Sequence, residues 1–252
     1  MNKRCRHMSR WLVALAFVLG ALPARAQQPL LADLSGHLIA ITTGFTGTSV
    51  VLFGATDGPG DIVAIVRGPE RDAVVWQKRH LGGLWINGHS VTFANVPSYY
   101  AVFSNRTLAD IAPPSAQAAS QIGIANLRID PRDPRIKPGE TTTFRAALIN
   151  ERKRVHLFAE YPGSVAFLGD RLFRATLDFP ANVPTGNYLV EVLLVRNGKV
   201  VSGQTTPLVI AEIGIGADVS EFASNNAALY GLAAVMGAAL LGWLASLPFR
   251  HA

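Results

Sequence analysis

Leu172-Phe173-Arg174-Ala175-Thr176-Leu177-Asp178-Phe179 alternates without a break. Leu172, Arg174, Thr176 and Asp178 fall on one side of an extended chain, and Phe173, Ala175, Leu177 and Phe179 on the other. Successive side chains of a strand point to opposite faces, so this period of two predicts a β-strand with one face in a core. Downstream, Tyr188 to Val195 and Val200 to Ala211 flank Arg196-Asn197-Gly198-Lys199. Asn-Gly accepts the positive φ of a tight turn, so this stretch reads as a hairpin. Upstream lie short β-branched and aromatic runs: Leu38–Ile41, Ser49–Phe53, Ile62–Val66, Ala73–Trp76, Leu84–Ile86, Val91–Phe93 and Tyr99–Phe103. Gly, Pro and Asn clusters separate them, and Asn87-Gly88 is read as a second hairpin turn.

Strands at this spacing predict a β-sandwich. The fold class is therefore mainly β, with two β-sandwich (Ig-like) modules at 27–105 and 122–213. Residues 106–121 contain Pro113-Pro114 and a Ser/Ala run, the composition of a linker with room for a short helix. The segment 140–154 reads both ways. Thr141-Thr142-Thr143 favours a strand, while Phe144, Leu148 and Arg152 keep helical spacing, and the reading leans to helix.

The two ends carry targeting signals. Lys3, Arg4, Arg6 and Arg10 precede the apolar run Trp11–Leu22, and Ala24-Arg25-Ala26 fits small-x-small cleavage. That pattern predicts a cleavable signal peptide, 1–26, with either Met1 or Met8 as the start. At the other end, Ala227 to Leu247 runs 21 residues without a charge. As a helix it measures about 30 Å, the thickness of a bilayer's hydrocarbon core. The expected order is a juxtamembrane segment at 214–226, a transmembrane helix at 227–247 and a tail at 248–252. With the leader exported and Arg250 retained, the ectodomain is expected outside and the C-terminus in the cytoplasm. So short a tail argues against a signalling output in the same chain.

Charge changes meaning once these ends are set apart. Of 23 basic residues against 17 acidic, five belong to the leader and Arg250 to the tail, leaving the exported part balanced at 17 each. The high pI of the whole chain is thus a property of the targeting segment, and no nucleic-acid partner is expected. The one cysteine, Cys5, also lies in the leader, so the mature chain has no thiol chemistry and must fold on core burial.

Several runs resemble a known family. Ile41-Thr42-Thr43-Gly44-Phe45-Thr46-Gly47, Phe53-Gly54-Ala55-Thr56, Val66-Arg67-Gly68-Pro69, Val96-Pro97-Ser98-Tyr99-Tyr100, Val183-Pro184-Thr185-Gly186-Asn187-Tyr188 and Leu229-Tyr230-Gly231-Leu232 are similar to the alphaproteobacterial transmembrane proteins of the Alph_Pro_TM type. The resemblance implies a Gram-negative inner-membrane location. It assigns no activity and no functional residue.

Motifs of chemistry are missing: no Walker loop, dinucleotide fingerprint, nucleophile elbow or His-Glu-x-x-His occurs. No catalytic residue, cofactor site or metal site is therefore assigned, and the chain is read as a non-enzyme. Two carboxylates bracket the turn Asp57-Gly58-Pro59-Gly60-Asp61, a weak calcium pattern that reads better as a solvated turn. Arg128, Arg132, Arg135, Lys137, Arg145, Arg152, Lys153 and Arg154 form a basic cluster, a solvated face or a surface for anionic lipid or an acidic partner. In the apolar C-terminal run, Ala234, Ala238 and Gly242 recur every fourth residue, and Gly237 follows Ala233 at the same interval. Small residues so spaced let two membrane helices pack closely.

Two function classes follow. The preferred one is an accessory or interaction subunit of another membrane protein, a transporter for example, contacting the bilayer and a partner through its helix or ectodomain. The alternative is a periplasmic binding protein or enzyme with a site between the modules near Trp85, Tyr99 and Tyr100.

Overall fold

The computed structural model describes residues 28–81, 83–214, 223 and 226–246. The predicted signal peptide, most of the juxtamembrane segment and the tail lie outside the described residues.

Twelve strands are described. The first seven are β1 (Leu30–Leu34), β2 (Leu38–Ile41), β3 (Gly47–Thr56), β4 (Asp61–Arg67), β5 (Glu70–Leu81), β6 (Leu84–Pro97) and β7 (Tyr100–Ser104). The other five are β8 (Asp130–Pro131), β9 (Gly163–Leu168), β10 (Leu172–Pro180), β11 (Gly186–Arg196) and β12 (Lys199–Glu212). Four α-helices accompany them, α1 (Leu108–Ile111), α2 (Pro114–Ala119), α3 (Pro138–Arg154) and α4 (Ala227–Ser246), with a 3-10 turn at Ile124–Asn126.

The mainly β class holds, but the division into two sandwiches does not. Nine strands form one sheet in the order β1-β3-β10-β9-β7-β4-β11-β12-β2, so strands from 27–105 and from 122–213 interleave. Thus β3 pairs with β10 from Gly47↔Pro180 to Ala55↔Leu172, and β4 pairs with β11 from Arg67↔Leu189 to Asp61↔Val195. The physical reason lies in β4. Ile62, Val63, Ala64, Ile65 and Val66 are all fully buried, and a strand apolar on both faces needs covering layers that its own half of the chain does not supply.

The sheet folds over at a narrow parallel joint, Phe103↔Gly163 and Ser104↔Ser164. A Cβ on Gly163 would sit 2.3 Å from the Phe103 ring, so the close approach there requires glycine. One half-sheet, β1-β3-β10-β9, packs its inner face on the other, β7-β4-β11-β12-β2. Between them lies a core that includes Leu52, Phe173, Leu177, Phe179, Tyr188 and Val192. Along β10 the exposure alternates as the sequence pattern requires, with Phe173, Ala175, Leu177 and Phe179 buried. At the open side, the Gln204 amide bridges to β1. The Ala32 N–H donates to Gln204 Oε1 at 2.8 Å, and Gln204 Nε2 donates to the Ala32 carbonyl at 2.7 Å. A side-chain amide thereby satisfies backbone groups that a neighbouring strand would otherwise pair.

A second core covers the other face of the second half-sheet. Val63, Ile65, Tyr100, Val102, Leu193 and Val195 meet residues of the segment after β7, of α3 and of the base of the β5–β6 hairpin. The expected linker is therefore structural. It carries α1 and α2 and buries Ile111 and Ala112, with Ile122 buried just after it. Tyr100 Oη ties it down, donating to the Gln121 carbonyl at 2.7 Å and accepting from the Gly123 N–H at 2.9 Å.

The ambiguous segment is helical. Pro138 occupies the first turn of α3, where its missing N–H costs nothing, and Arg152, Lys153 and Arg154 lie at the C-terminal end favoured by the helix dipole. Thr142 and Thr143 donate their hydroxyls to the carbonyls of Pro138 and Gly139, which lets β-branched residues sit in a helix with their polar atoms satisfied.

Of the two expected hairpin turns, one is found. Asn197 and Gly198, both at positive φ, join β11 to β12. Asn87-Gly88 instead lies inside β6, and the chain reverses between Leu81 and Leu84, which pair with each other. Gly83 within that reversal has a φ of 84°, a conformation glycine takes without strain, so the turn comes earlier in the chain. Gly88 and His89 fall at a β-bulge, facing Gln77 alone where the register shifts between Trp76 and Lys78.

Candidate interaction surfaces

The outer face of the first half-sheet is built by register. Leu31 pairs with Ala55, Ala55 with Leu172, and Leu172 with Leu168, so four strands place an apolar row side by side. Three inter-strand spacings of about 4.8 Å make the row about 14 Å long. The adjoining row is Asp33, Phe53, Arg174 and Ala166, with opposite charges flanking the Phe53 ring. Leu31, Phe53, Leu168 and Leu172 are 60%, 47%, 51% and 55% exposed, which is unusual for so many large apolar groups in register. A groove of about 760 Å³ runs over this face, bordered by Gln204–Pro207 of β12. Sequence reasoning missed the site because β1 and β9 were not recognised as strands. The alternation in Leu30-Leu31-Ala32-Asp33-Leu34 was the available signal.

The aromatic site suggested near Trp85, Tyr99 and Tyr100 does not assemble. Tyr99 and Tyr100 are consecutive and point to opposite faces, Tyr99 into the first core and Tyr100 into the second. Trp85 is 70% exposed near the end of the β5–β6 hairpin. Tyr99 packs with Phe179 and Tyr188, and burial raises all three tyrosine hydroxyls above the ordinary phenol value, Tyr100 and Tyr188 to about 12. Aromatic core is the outcome.

The acidic turn is paired rather than open. Asp57 accepts from Arg196, whose Nε also donates to the Pro59 carbonyl at 2.8 Å. Asp61 accepts from Arg106 and from Asn105 Nδ2, and the Arg106 guanidinium holds its carboxyl below the usual range. These contacts tie the β3–β4 turn to the β11–β12 turn and the end of β7. The histidines remain apart: His37 contacts Asp33, His80 packs edge-on to Trp85, and His89 contacts Glu140 and the Phe144 ring. Among the described residues, no group of three or more His, Cys, Asp or Glu side chains could hold a metal.

The basic cluster is dispersed by pairing. Arg132 meets Asp72, Arg135 meets Asp133, Arg145 meets Asp130, Lys153 meets Glu160 and Arg154 meets Glu151. Arg128, Lys137 and Arg152 have no ion pair among the described residues. Five of the eight basic residues are therefore paired, two of them with carboxylates from outside the segment, Asp72 and Glu160.

Helix α4 runs 20 residues, with no acidic residue in its first turn and no basic residue in its last. At about 100° per residue, Leu232, Met236, Leu240 and Trp243 share one arc while Ala234, Ala238 and Gly242 share the opposite one. Gly237 lies about 60° beyond that smooth arc. Leu232, Val235, Met236, Leu240, Leu241 and Trp243 are all more than half exposed. Among the described residues no helix is long and apolar enough to cross a membrane, and the side chains of Leu229, Ala233 and 244–246 of α4 lie outside those described.

The family described as "Putative transmembrane protein (Alph_Pro_TM)" matches residues 29–251 of the 252. The chain belongs to this family. Its match includes α4 along with the sheet, so helix and β body are one family unit. No curated protein matches the chain. The Alph_Pro_TM description names membrane residence and gives no activity.

Proposed function

We propose that this Alph_Pro_TM protein is a non-enzymatic accessory subunit of another membrane protein, with a periplasmic β body and α4 as its single inner-membrane span. The observation that carries the reading is the apolar row Leu31–Ala55–Leu172–Leu168, an uncovered face on which four strands bring apolar side chains into register. Such a row suits a partner surface of matching apolar character. The body leaves its chemistry-bearing groups in structural roles, Asp57 and Asp61 under arginines and Tyr99, Tyr100 and Tyr188 in the cores.

The span rests on other support. Family membership points to the membrane, and the α4 backbone is about 30 Å long by its residue count. Its bulky apolar side chains face outward, a surface that lipid accepts and water does not. Signal peptide, periplasmic body and cytoplasmic C-terminus complete the topology, and Ala234, Ala238, Gly242 and Gly237 mark where a partner helix would approach.

Copurification in mild detergent tests the subunit reading. A stoichiometric membrane protein should accompany the chain and be lost when Phe53 and Leu172 are both changed to Asp. Recovery of the chain alone, without self-association, overturns it. Carbonate extraction tests the span: the full chain should stay with the membrane, and a chain ending at Gly214 should be released.

A further inference from the structure

The β5–β6 hairpin outruns the core beneath it. Ala73, Val91, Phe93 and Val96 at its base are buried, while Trp76, Leu84, Trp85 and Ile86 beyond them are exposed. The register fixes which side chains share a face. Trp76 pairs with Ser90, Lys78 with Asn87 and His80 with Trp85, so Val74, Trp76, Lys78, His80 and Trp85 line one face of the two-stranded ribbon. Cross-strand contacts order it. Lys78 Nζ donates to Asn87 Oδ1 at 2.6 Å, and the His80 and Trp85 rings meet edge-on at 5.1 Å. Trp76 and the His80–Trp85 pair are four residues apart along the strand, about 13 Å. Val74 and Trp76 are each 50% exposed and Trp85 is 70% exposed.

Beyond Glu70 and Asp72 at the base, the charge on this hairpin has one sign. No acidic residue occurs between Ala73 and Ala109, while Lys78 and Arg79 lie in the distal half. A partner surface of mixed charge would not require that bias. An anionic lipid surface does, because its headgroups attract basic side chains within a Debye length while tryptophans settle at the headgroup level.

We infer that the distal half of the β5–β6 hairpin lies against an anionic phospholipid surface, with Trp76 and Trp85 at headgroup depth, Lys78 facing lipid phosphates and Arg79, on the opposite face, adding its charge at longer range. The inference draws on the proposed membrane span only for the nearness of a bilayer. The ribbon lies along the membrane, since both tryptophans share one face.

The test uses the full chain with Cys5→Ser and a single cysteine, His80→Cys, carrying an environment-sensitive fluorophore. Tyr161→Cys on the body, 78% exposed, is the control. In nanodiscs of phosphatidylcholine and phosphatidylglycerol at 7:3, the label at 80 should be quenched at least twofold more by doxyl lipids than the label at 161. Lys78→Gln with Arg79→Gln should bring quenching down to its value in pure phosphatidylcholine, and Trp76→Ser with Trp85→Ser should abolish it without changing the melting temperature. Equal quenching at 80 and 161 in both lipids overturns the inference. So does shielding at 80 that ignores lipid composition and appears only with a copurifying protein, which would make the hairpin a protein contact. Flotation with vesicles of the same composition separates this result from the fate of the span. A chain released by carbonate that still floats with anionic vesicles retains the hairpin contact and loses the anchor.

Discussion

The two longest hairpins of the molecule, β11–β12 and β5–β6, are close in length and each contains an Asn-Gly pair, yet they meet opposite surroundings. Strand β11 sits between β4 and β12, and Tyr188, Val190, Val192, Leu194 and Val195 along it are all but fully buried. Strands β5 and β6 pair with each other, and β6 meets β8 at only Phe93 and Ala94. The first hairpin is held by both cores. The second is held at its base, and its distal half is set by turn, bulge and cross-strand contacts. Burial, more than turn chemistry, should therefore separate the two in every measurement of stability.

The largest separation is expected from truncation. Leu194→Ala removes a side chain with no exposure from the first core and should cost about 2–5 kcal/mol. At about 2–4 °C per kcal/mol for a body of this size, calorimetry should show a melting temperature lower by about 5–15 °C. Trp85→Ala in the other hairpin should move it by less than about 2 °C. Comparable losses at both sites would mean that the β5–β6 tip packs on something in the folded chain.

Alkali should act next, and on the buried side only. Burial lifts the Tyr100 and Tyr188 hydroxyls to about 12, above the ordinary phenol value of 10. Above pH 10 the unfolded chain loses protons that the folded chain retains, so the stabilisation present below pH 10 is lost as pH rises through about 12. Denaturant midpoints should be flat from pH 8 to about 9.5 and fall steadily beyond. Tyr188→Phe should reduce that fall at a cost of about 1 kcal/mol, because Tyr188 Oη donates to the Pro184 carbonyl at 2.6 Å. A slope unchanged by the substitution would shift the alkaline sensitivity to Tyr99 and Tyr100.

How much of this was legible depended on whether a signal was local. Alternation in Leu172–Phe179, the Asn197-Gly198 turn and the helical spacing of Phe144 and Leu148 each rest on neighbours in sequence, and each held in the structure. Which strands lie side by side was not legible. The pairing of β3 with β10 joins residues over a hundred apart, and both partners read equally well as members of separate sandwiches. The apolar row needs four strands in register, so no single segment announces it. Asn87-Gly88 misled because the same dipeptide serves a turn or a bulge, and the reversal between Leu81 and Leu84 takes the turn before it.

The smallest expected effect discriminates those two uses of the dipeptide. Gly198 has a φ of 74°, and a Cβ there would lie 3.1 Å from Pro113 Cδ. Gly198→Ala should therefore cost about 1–2 kcal/mol, the usual penalty of a left-handed conformation for an L-residue. Gly88 is not among the residues at positive φ. Its substituted Cβ would meet Arg79 Cδ at 2.9 Å and the Gln77 carbonyl at 3.2 Å. The arginine stem can swing away, because it lies on an exposed stretch of the hairpin. Gly88→Ala should then cost less than about 0.5 kcal/mol by urea denaturation, the range of surface substitutions. If the two substitutions cost the same, the bulge at Gly88 is as constrained as a turn, and the distal hairpin is held by more than its own two strands.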